Sequence, residues 1–313
     1  MDGSGDPGFW MARSAGLAHI VRNDDGTSTG VWGVHVLKSA FQPIFAFDDG
    51  KLRIAAFEGL IRAFRDGEPV SPGSFFHGVP AVDRFHVETL TRTLHLLNAG
   101  ACLDPQATLF VNFDPSLFSD RPVAEVALRD TRLVMHEAGI HPARVVCEMT
   151  EQRSGSRAAL HHFVGMLRSH GFRIAVDDYG ADDSDMSRID ELGPDIVKFD
   201  AKWISRLMLS GPGFALLRTM VSTFRDRGIA TVFEGIEETW QLEIAERCGA
   251  AMVQGYVLAR PEIAPTGFSV FLPRTPAEDA PSGETVAVPG RPSAPASRPH
   301  PAVRAFGRRG SFQ

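Results

Sequence analysis

The sequence predicts an α/β fold: a closed, modified TIM-type (β/α)8 barrel whose first strand runs antiparallel. Three observations predict it. From residue 85 onward, short apolar runs of strand length alternate with amphipathic stretches of helix length, the pattern of βα units around a parallel sheet. Two further apolar runs come first and are joined by Asp48-Asp49-Gly50, a hairpin signal that sets the first strand antiparallel to the second. Most of the runs also stop at a charged or amide side chain, and strand ends of this kind are where α/β barrels carry their chemistry.

The elements follow in order. Residues 41–47 and 52–60 form the hairpin. Residues 85–98 form a helix and Thr108–Asn112 a strand. A helix over 122–138 stops at Gly139, and a strand over 144–148 follows; glycine is the common helix stop because it enters the left-handed region freely. Arg157–Ser169 is helical and closes at Gly171. Strands over 173–176 and 195–197 come next, then one long helical region over 201–227. A strand over 231–234, a helix over 239–247 and a last strand over 251–254 complete eight strands. Residues 1–35, rich in Gly, Asp, Ser and Thr, read as a mobile leader, 36–272 as the barrel, and 273–313 as a disordered tail rich in Pro, Ala and Arg. Such a tail cannot bury enough surface to offset its ordering entropy. Neither leader nor tail holds room for a second catalytic or sensory domain.

Composition narrows the function classes. The chain has 313 residues, 43% of them hydrophobic, and a net charge of -6 from 32 basic and 38 acidic side chains. That balance argues against a DNA or RNA polymer as partner. Cys102, Cys147 and Cys248 lie far apart with no metal-ligand spacing, which fits a reducing cytoplasm. No apolar run approaches the ~20 residues of a membrane helix, and the N-terminal residues carry Asp2 and Asp6 rather than a basic n-region, with no apolar h-region after them.

The strand ends carry the chemistry. The second strand ends at Glu58, the third at Asn112, the fourth at Glu148, the fifth at Asp177-Asp178, the sixth at Lys198, the seventh at Glu234 and the eighth at Gln254. Any one of these could be a solvated strand end or an ion pair, but a barrel gathers all of them on one face. Glu58, Asn112, Glu148, Asp177, Asp178 and Glu234 offer oxygen ligands with no Cys or His, a set for Mg²⁺ or Mn²⁺ rather than Zn²⁺. It exceeds what one Mg²⁺ takes, so two ions sharing a bridging Asp fit better. A pair ~3.5–4 Å apart stabilises in-line displacement at phosphorus. Lys198 would neutralise charge or hold the water. His161-His162 sit in a helix without a ligand partner and read as surface residues.

These residues resemble the EAL-domain cyclic di-GMP phosphodiesterases. The matching segments are Phe41-Gln42-Pro43-Ile44, Glu58-Gly59-Leu60-Ile61-Arg62, Val111-Asn112, Glu148-Met149-Thr150-Glu151, Asp177-Asp178-Tyr179-Gly180, Val197-Lys198-Phe199-Asp200, Glu234-Gly235-Ile236-Glu237 and Gln254-Gly255-Tyr256. They come in the family's order over residues 38–263. The resemblance implies hydrolysis of cyclic di-GMP to linear pGpG with two Mg²⁺ or Mn²⁺ ions. Ca²⁺, larger and tolerant of loose geometry, is expected to fill the site and inhibit. By resemblance, Glu58, Asn112, Glu148 and Asp177 hold one ion. Asp177 bridges to a second, held also by Asp178 and Glu234, and Lys198 lies near the attacking water. Glu237 and Gln254 complete the polar shell, Gln42 and Arg62 contact base and phosphate, and Glu151 steadies the loop after Asp178.

Two positions depart from the family. Gly59 stands where the signature has Ala, which is expected to loosen the strand end. After Asp178 the family reads Phe-Gly-Thr-Gly; here Tyr179-Gly180-Ala181-Asp182 is followed by Asp183 and Asp185. In the family this loop supports metal binding and dimer contacts, so the departure bears on rate and regulation and leaves a homodimer open. The rival reading is a non-catalytic receptor or scaffold that binds the dinucleotide or a protein partner. Such members have usually lost ligands, whereas every ligand position here is filled. An unrelated divalent-metal barrel would account for the carboxylates but not for Gln42 and Arg62. The sequence names no regulatory partner.

Overall fold

The computed structural model describes residues 18–118, 120–150, 157–181, 186–268 and 286–287. Glu151, Asp182, Asp183, Asp185 and nearly all of the region from 273 onward lie outside the described residues. Two short strands, β1 (Ala18–Arg22) and β2 (Ser28–Trp32), pair antiparallel and lead onto β3 (His35–Asp48). The expectation of a mobile leader over residues 1–35 is therefore corrected from Ala18 onward. One buried side chain is responsible. Asn98 donates from Nδ2 to the Ser28 carbonyl at 2.9 Å and accepts at Oδ1 from the Ser28 amide at 2.6 Å. Satisfying both backbone groups of one residue fixes a strand too short to show a period of its own.

β3 turns through Asp49-Gly50, both at positive φ, into β4 (Lys51–Arg65), with Asp48 paired to Lys51. Asp-Gly suits a two-residue hairpin because both central residues need left-handed backbone. β5 (Glu68–Val70) folds back on the end of β4. From β4 the chain builds parallel strands in sequence: β6 (Thr108–Asn112), β7 (Val145–Thr150), β8 (Arg173–Tyr179), β9 (Ile196–Phe199), β10 (Ala230–Phe233) and β11 (Met252–Val253). β11 then pairs antiparallel with β3, and β3 with β4. The order β3-β11-β10-β9-β8-β7-β6-β4 thus closes on itself as eight strands with the first antiparallel, as the alternation and the hairpin predict. β12 (Glu262–Ile263) caps the edge of β3. In the region from 273, β13 (Val286–Ala287) pairs with Leu52 and Lys51 of β4.

Eight helices are described: α1 (Pro72–His77), α2 (Arg84–Cys102), α3 (Arg121–Glu137), α4 (Arg157–Ser169), α5 (Met186–Leu192), α6 (Ala201–Met208), α7 (Gly211–Asp226) and α8 (Thr239–Cys248). The long helical region expected over 201–227 is two helices. Ser210 accepts from the Gly213 amide at 3.1 Å and starts α7 afresh, with Pro212 in its first turn. Serine caps and first-turn prolines are helix starts because they serve the otherwise orphaned amides. At Gly213 a Cβ would sit 2.1 Å from the Leu207 carbonyl oxygen, so the two helices meet at a glycine. No helix among the described residues is long and apolar enough to cross a membrane.

Two apolar layers hold the barrel. Inside it, Ile44, Ala56, Phe110, Val146, Ala175, Ile196 and Val232 form one ring, each from a different strand. Outside, strand residues pack on the helices. Phe199 stacks on Phe233 (5.1 Å) and Tyr179 (5.5 Å) and meets Trp203 and Phe224 edge-on. Phe199 is fully buried and is the residue after Lys198. Phe199→Ala is expected to lower stability by roughly 3–5 kcal/mol through lost contacts and the cavity left behind, read as a lower urea midpoint at constant slope.

Candidate active site

The apolar ring inside the barrel locates the site. Side chains of a strand alternate between its two faces, so the residue two positions along points the same way. Two positions beyond Ala56, Phe110, Val146, Ala175, Ile196 and Val232 stand Glu58, Asn112, Glu148, Asp177, Lys198 and Glu234. Gln254 follows Met252 in the same way, and Met252 packs against that ring. β3 runs the other way, so Gln42 precedes Ile44 by the same step and pairs directly with Glu58. The strand-end residues are the next interior layer of the barrel, and it is polar.

Lys198 stands at the centre of this layer. It is fully buried, and its Nζ lies 2.6 Å from Glu148 Oε1, 2.7 Å from Glu234 Oε1, 3.0 Å from Asp177 Oδ1 and 3.7 Å from Glu58 Oε2. Gln254 Nε2 donates to Glu58 Oε2 at 2.7 Å. Burial alone would push the Lys198 pKa down; Asp177, Glu148, Glu234 and Glu58 overturn that and hold it well above its ordinary value. The carboxyls are affected too. Burial pushes Glu148 well up, with Glu58 and Asp177 adding and Lys198 opposing. Burial, again opposed by Lys198, pushes Glu234 up to about 8, and burial with Asp177 alongside pushes Asp178 to about 6.

Adjacent residues of a regular strand face opposite ways, yet Asp177 and Asp178 serve one rim. A register shift between Val176 and Tyr179 interrupts the β8–β9 ladder, and Asp178 takes φ 56°. The left-handed region costs a non-glycine residue ~1–2 kcal/mol, and Asp is among the residues that tolerate it. The bulge brings oxygens of Asp177, Asp178 and Glu234 within 4.8 Å of one another.

Two cavities open from this layer and share Glu58. The smaller, about 280 Å³, is lined by Gln42, Gln254, Glu237, Glu234 and Tyr256. The larger, about 840 Å³, holds Arg62, Asn112, Asp177 and Asp178, with Arg84, Glu88, Arg92 and His95 of α2 on its far wall. The structure brings every strand-end residue of the sequence analysis to one mouth. Gln42 donates to the Ala259 carbonyl at 3.2 Å, and Arg62 to the Ile61 carbonyl at 2.9 Å. Asp200 is an N-cap instead, accepting from the Trp203 amide at 2.7 Å. His161 is exposed and pairs with Glu191 at 3.2 Å. Sequence reasoning missed the α2 wall. Glu88, Arg92 and His95 recur at helical spacing, but a polar face of that kind ordinarily reads as solvated.

The sequence model of the EAL domain matches residues 35–261. The chain belongs to the EAL-domain family. Among EAL-domain proteins, it is 30% identical over 226 residues to the uncharacterised EAL-domain containing protein YkuI of Bacillus subtilis, covering 71% of this chain and 54% of YkuI. It is 29% identical over 257 residues to the cyclic di-GMP phosphodiesterase RocR of Pseudomonas aeruginosa, covering 80% of this chain and 62% of RocR. It therefore spans less than two thirds of either relative. The crystal structure of YkuI in complex with substrate cyclic di-GMP and calcium superposes with a TM-score of 0.63 at 28% identity, covering 72% of this chain and 56% of that one. Klebsiella pneumoniae BlrP1 in a manganese and cyclic di-GMP complex gives 0.66 at 25% identity, covering 79% and 59%.

Lys198 is the cation among the described residues that touches Glu58, Glu148, Asp177 and Glu234 together. Removing one partner of a buried ionic group costs roughly 3–5 kcal/mol because the remaining charge stays buried. Lys198→Met is expected to lose about that much stability in chelator, measured by urea unfolding, and to regain part of it when Mn²⁺ is added.

Proposed function

We propose that this chain is a metal-dependent phosphodiesterase that hydrolyses cyclic di-GMP to linear pGpG. The observation that carries the reading is the polar interior layer. Glu58, Glu148, Asp177 and Glu234 converge on a single ammonium, Lys198, and Asp178 joins Asp177 and Glu234 at the rim. Once ionised, these carboxyls carry far more negative charge than Lys198 balances, and a buried excess of that size calls for cations. Glu148 Oε2 and Gln254 Oε1 are buried with no hydrogen-bond partner among the described residues. The donor set is all oxygen, which suits Mg²⁺ or Mn²⁺.

Glu58, Asn112, Glu148 and Asp177 would hold one ion, and Asp177, Asp178 and Glu234 the other. Bound there, divalent ions supply activation of water and neutralisation of charge developing at phosphorus. The protein's own groups do the rest. Lys198 is kept protonated by its carboxylate neighbours and offers positive charge beside the scissile phosphate. Arg62, half-buried at the mouth, presents a planar fork suited to a phosphate. Gln42, Gln254 and Glu237 line the smaller cavity with donors and acceptors for a guanine edge. Two cavities meeting at Glu58 suit a ligand with two nucleotide halves. The related proteins support the substrate: RocR is named for this activity, and YkuI and BlrP1 form complexes with cyclic di-GMP.

The test is turnover by purified protein with Mn²⁺ or Mg²⁺, read as pGpG release. Wild type is expected to hydrolyse and Ca²⁺ to inhibit. Glu58→Ala and Asp177→Ala should abolish turnover, while cyclic di-GMP binding through Gln42 and Arg62 survives in part. Binding without pGpG release under either ion would assign the chain to the receptors instead.

The pKa directions give a second prediction. Asp178 and Glu234 hold their protons up to about 6 and about 8 in the absence of metal, and an ion binds only their ionised forms. Mn²⁺ affinity, measured by calorimetry, is therefore expected to rise as pH increases from 6 to about 8 and then to level off. A flat profile would show that neither group binds the ion.

A further inference from the structure

Gly59 is the residue after Glu58, and its outward face meets α2. A Cβ there would lie 2.9 Å from His95 Cγ, 3.1 Å from its Cβ and 3.3 Å from its Cδ2. The His95 Cβ is fixed by the α2 backbone, and Cγ and Cδ2 could swing clear only by a χ1 change that gives up the contact of His95 Nδ1 with Ser39 Oγ. The Ala expected from the family signature does not fit beside this histidine. The expectation that Gly59 loosens the strand end is corrected accordingly, because the imidazole fills the space that an alanine methyl would take.

The ring is fixed from its other side. Ser28 N–H donates to Asn98 Oδ1, which settles the orientation of the Asn98 amide and leaves Nδ2 to donate to the Ser28 carbonyl and to Ser39 Oγ at 3.0 Å. Ser39 Oγ in turn lies 3.0 Å from His95 Nδ1, and the imidazole tautomer decides which of the two donates. All four residues are buried, where a fully satisfied polar network rigidifies what it connects. Ser39 also pairs with Ile61 across the β3–β4 ladder, two residues beyond Gly59.

We propose that His95 is a positioning residue for Glu58, and that the chain Ser28–Asn98–Ser39–His95 ties β2, outside the matched residues 35–261, to the rim of the metal site. This rests on the reading of Glu58 as a metal ligand. The ring bears on the backbone next to that carboxylate. A shift of β2 or α2 therefore changes where Glu58 stands without touching the ligand.

The experiment measures Mn²⁺ affinity by calorimetry and melting temperature by circular dichroism, for wild type, Gly59→Ala, His95→Ala, the double variant and Asn98→Ala. Arg144→Ala is the control; its guanidinium holds the Asp104 and Ala107 carbonyls just ahead of β6, at the opposite end of that strand from Asn112. Gly59→Ala, His95→Ala and Asn98→Ala are expected to weaken Mn²⁺ binding by about tenfold to a hundredfold, as supporting residues around metal ligands do. The double variant should recover affinity relative to Gly59→Ala, because the new methyl occupies the space left by the ring. Arg144→Ala should lower the melting temperature and leave Mn²⁺ affinity unchanged. The proposal is overturned if Gly59→Ala binds Mn²⁺ like wild type, if the two single losses simply add, or if Arg144→Ala weakens binding as Asn98→Ala does. Should Gly59→Ala not fold, His95→Ala and Asn98→Ala against the control decide alone. Wild-type protein that binds no Mn²⁺ would instead remove the metal centre itself.

Discussion

One buried ammonium sets the terms for this barrel. Lys198 stands in the layer above the apolar ring and touches carboxylates from β4, β7, β8 and the end of β10. A packed hydrocarbon layer would be the cheaper way to fill that space, since buried ionic groups are often no better than apolar ones for stability. Here the interior turns polar at the step where the strands reach the mouth. Each strand has to deliver its side chain in register with the others, which ties the ladder pairings, the β8 bulge and the left-handed Asp178 to one another. The aromatic packing of Phe199 behind Lys198 holds the central strand while the front of the layer stays charged.

Much of this was legible because the signal is local. An apolar run that ends in a carboxylate can be read without knowing its neighbours, and the closed barrel then places the ends together. The hairpin was legible for a similar reason, since Asp49-Gly50 states its own backbone conformation. What failed were features whose cause lies elsewhere in the chain. β2 is held by Asn98, seventy positions away. The α2 wall went unread because a polar helix face is ordinarily a solvated one; its role as lining depends on a cavity that no spacing reveals. The break at Ser210 is a different case. Ser210, Gly211 and Pro212 were readable as a helix start, but apolar residues at helical spacing flank them on both sides and hide the interruption.

Gly59 shows how a departure from a family pattern can mislead when taken alone. A missing methyl suggests slack, but the neighbouring helix supplies a larger group in its place, itself held by a relay of hydrogen bonds. The residue and its partner are one unit, split between a strand and a helix that are distant in sequence. A single sequence shows half of such a unit at a time.

The direction of the first strand has its own consequence. In an all-parallel barrel, chain entering the first strand arrives at the floor, a full strand length from the chemistry. Because β3 descends, chain entering it arrives at the mouth. His35 pairs with Arg65, beyond the rim marked by Glu58. Polypeptide upstream of the barrel is therefore delivered beside the mouth, and only the width of a hairpin separates it from the polar layer.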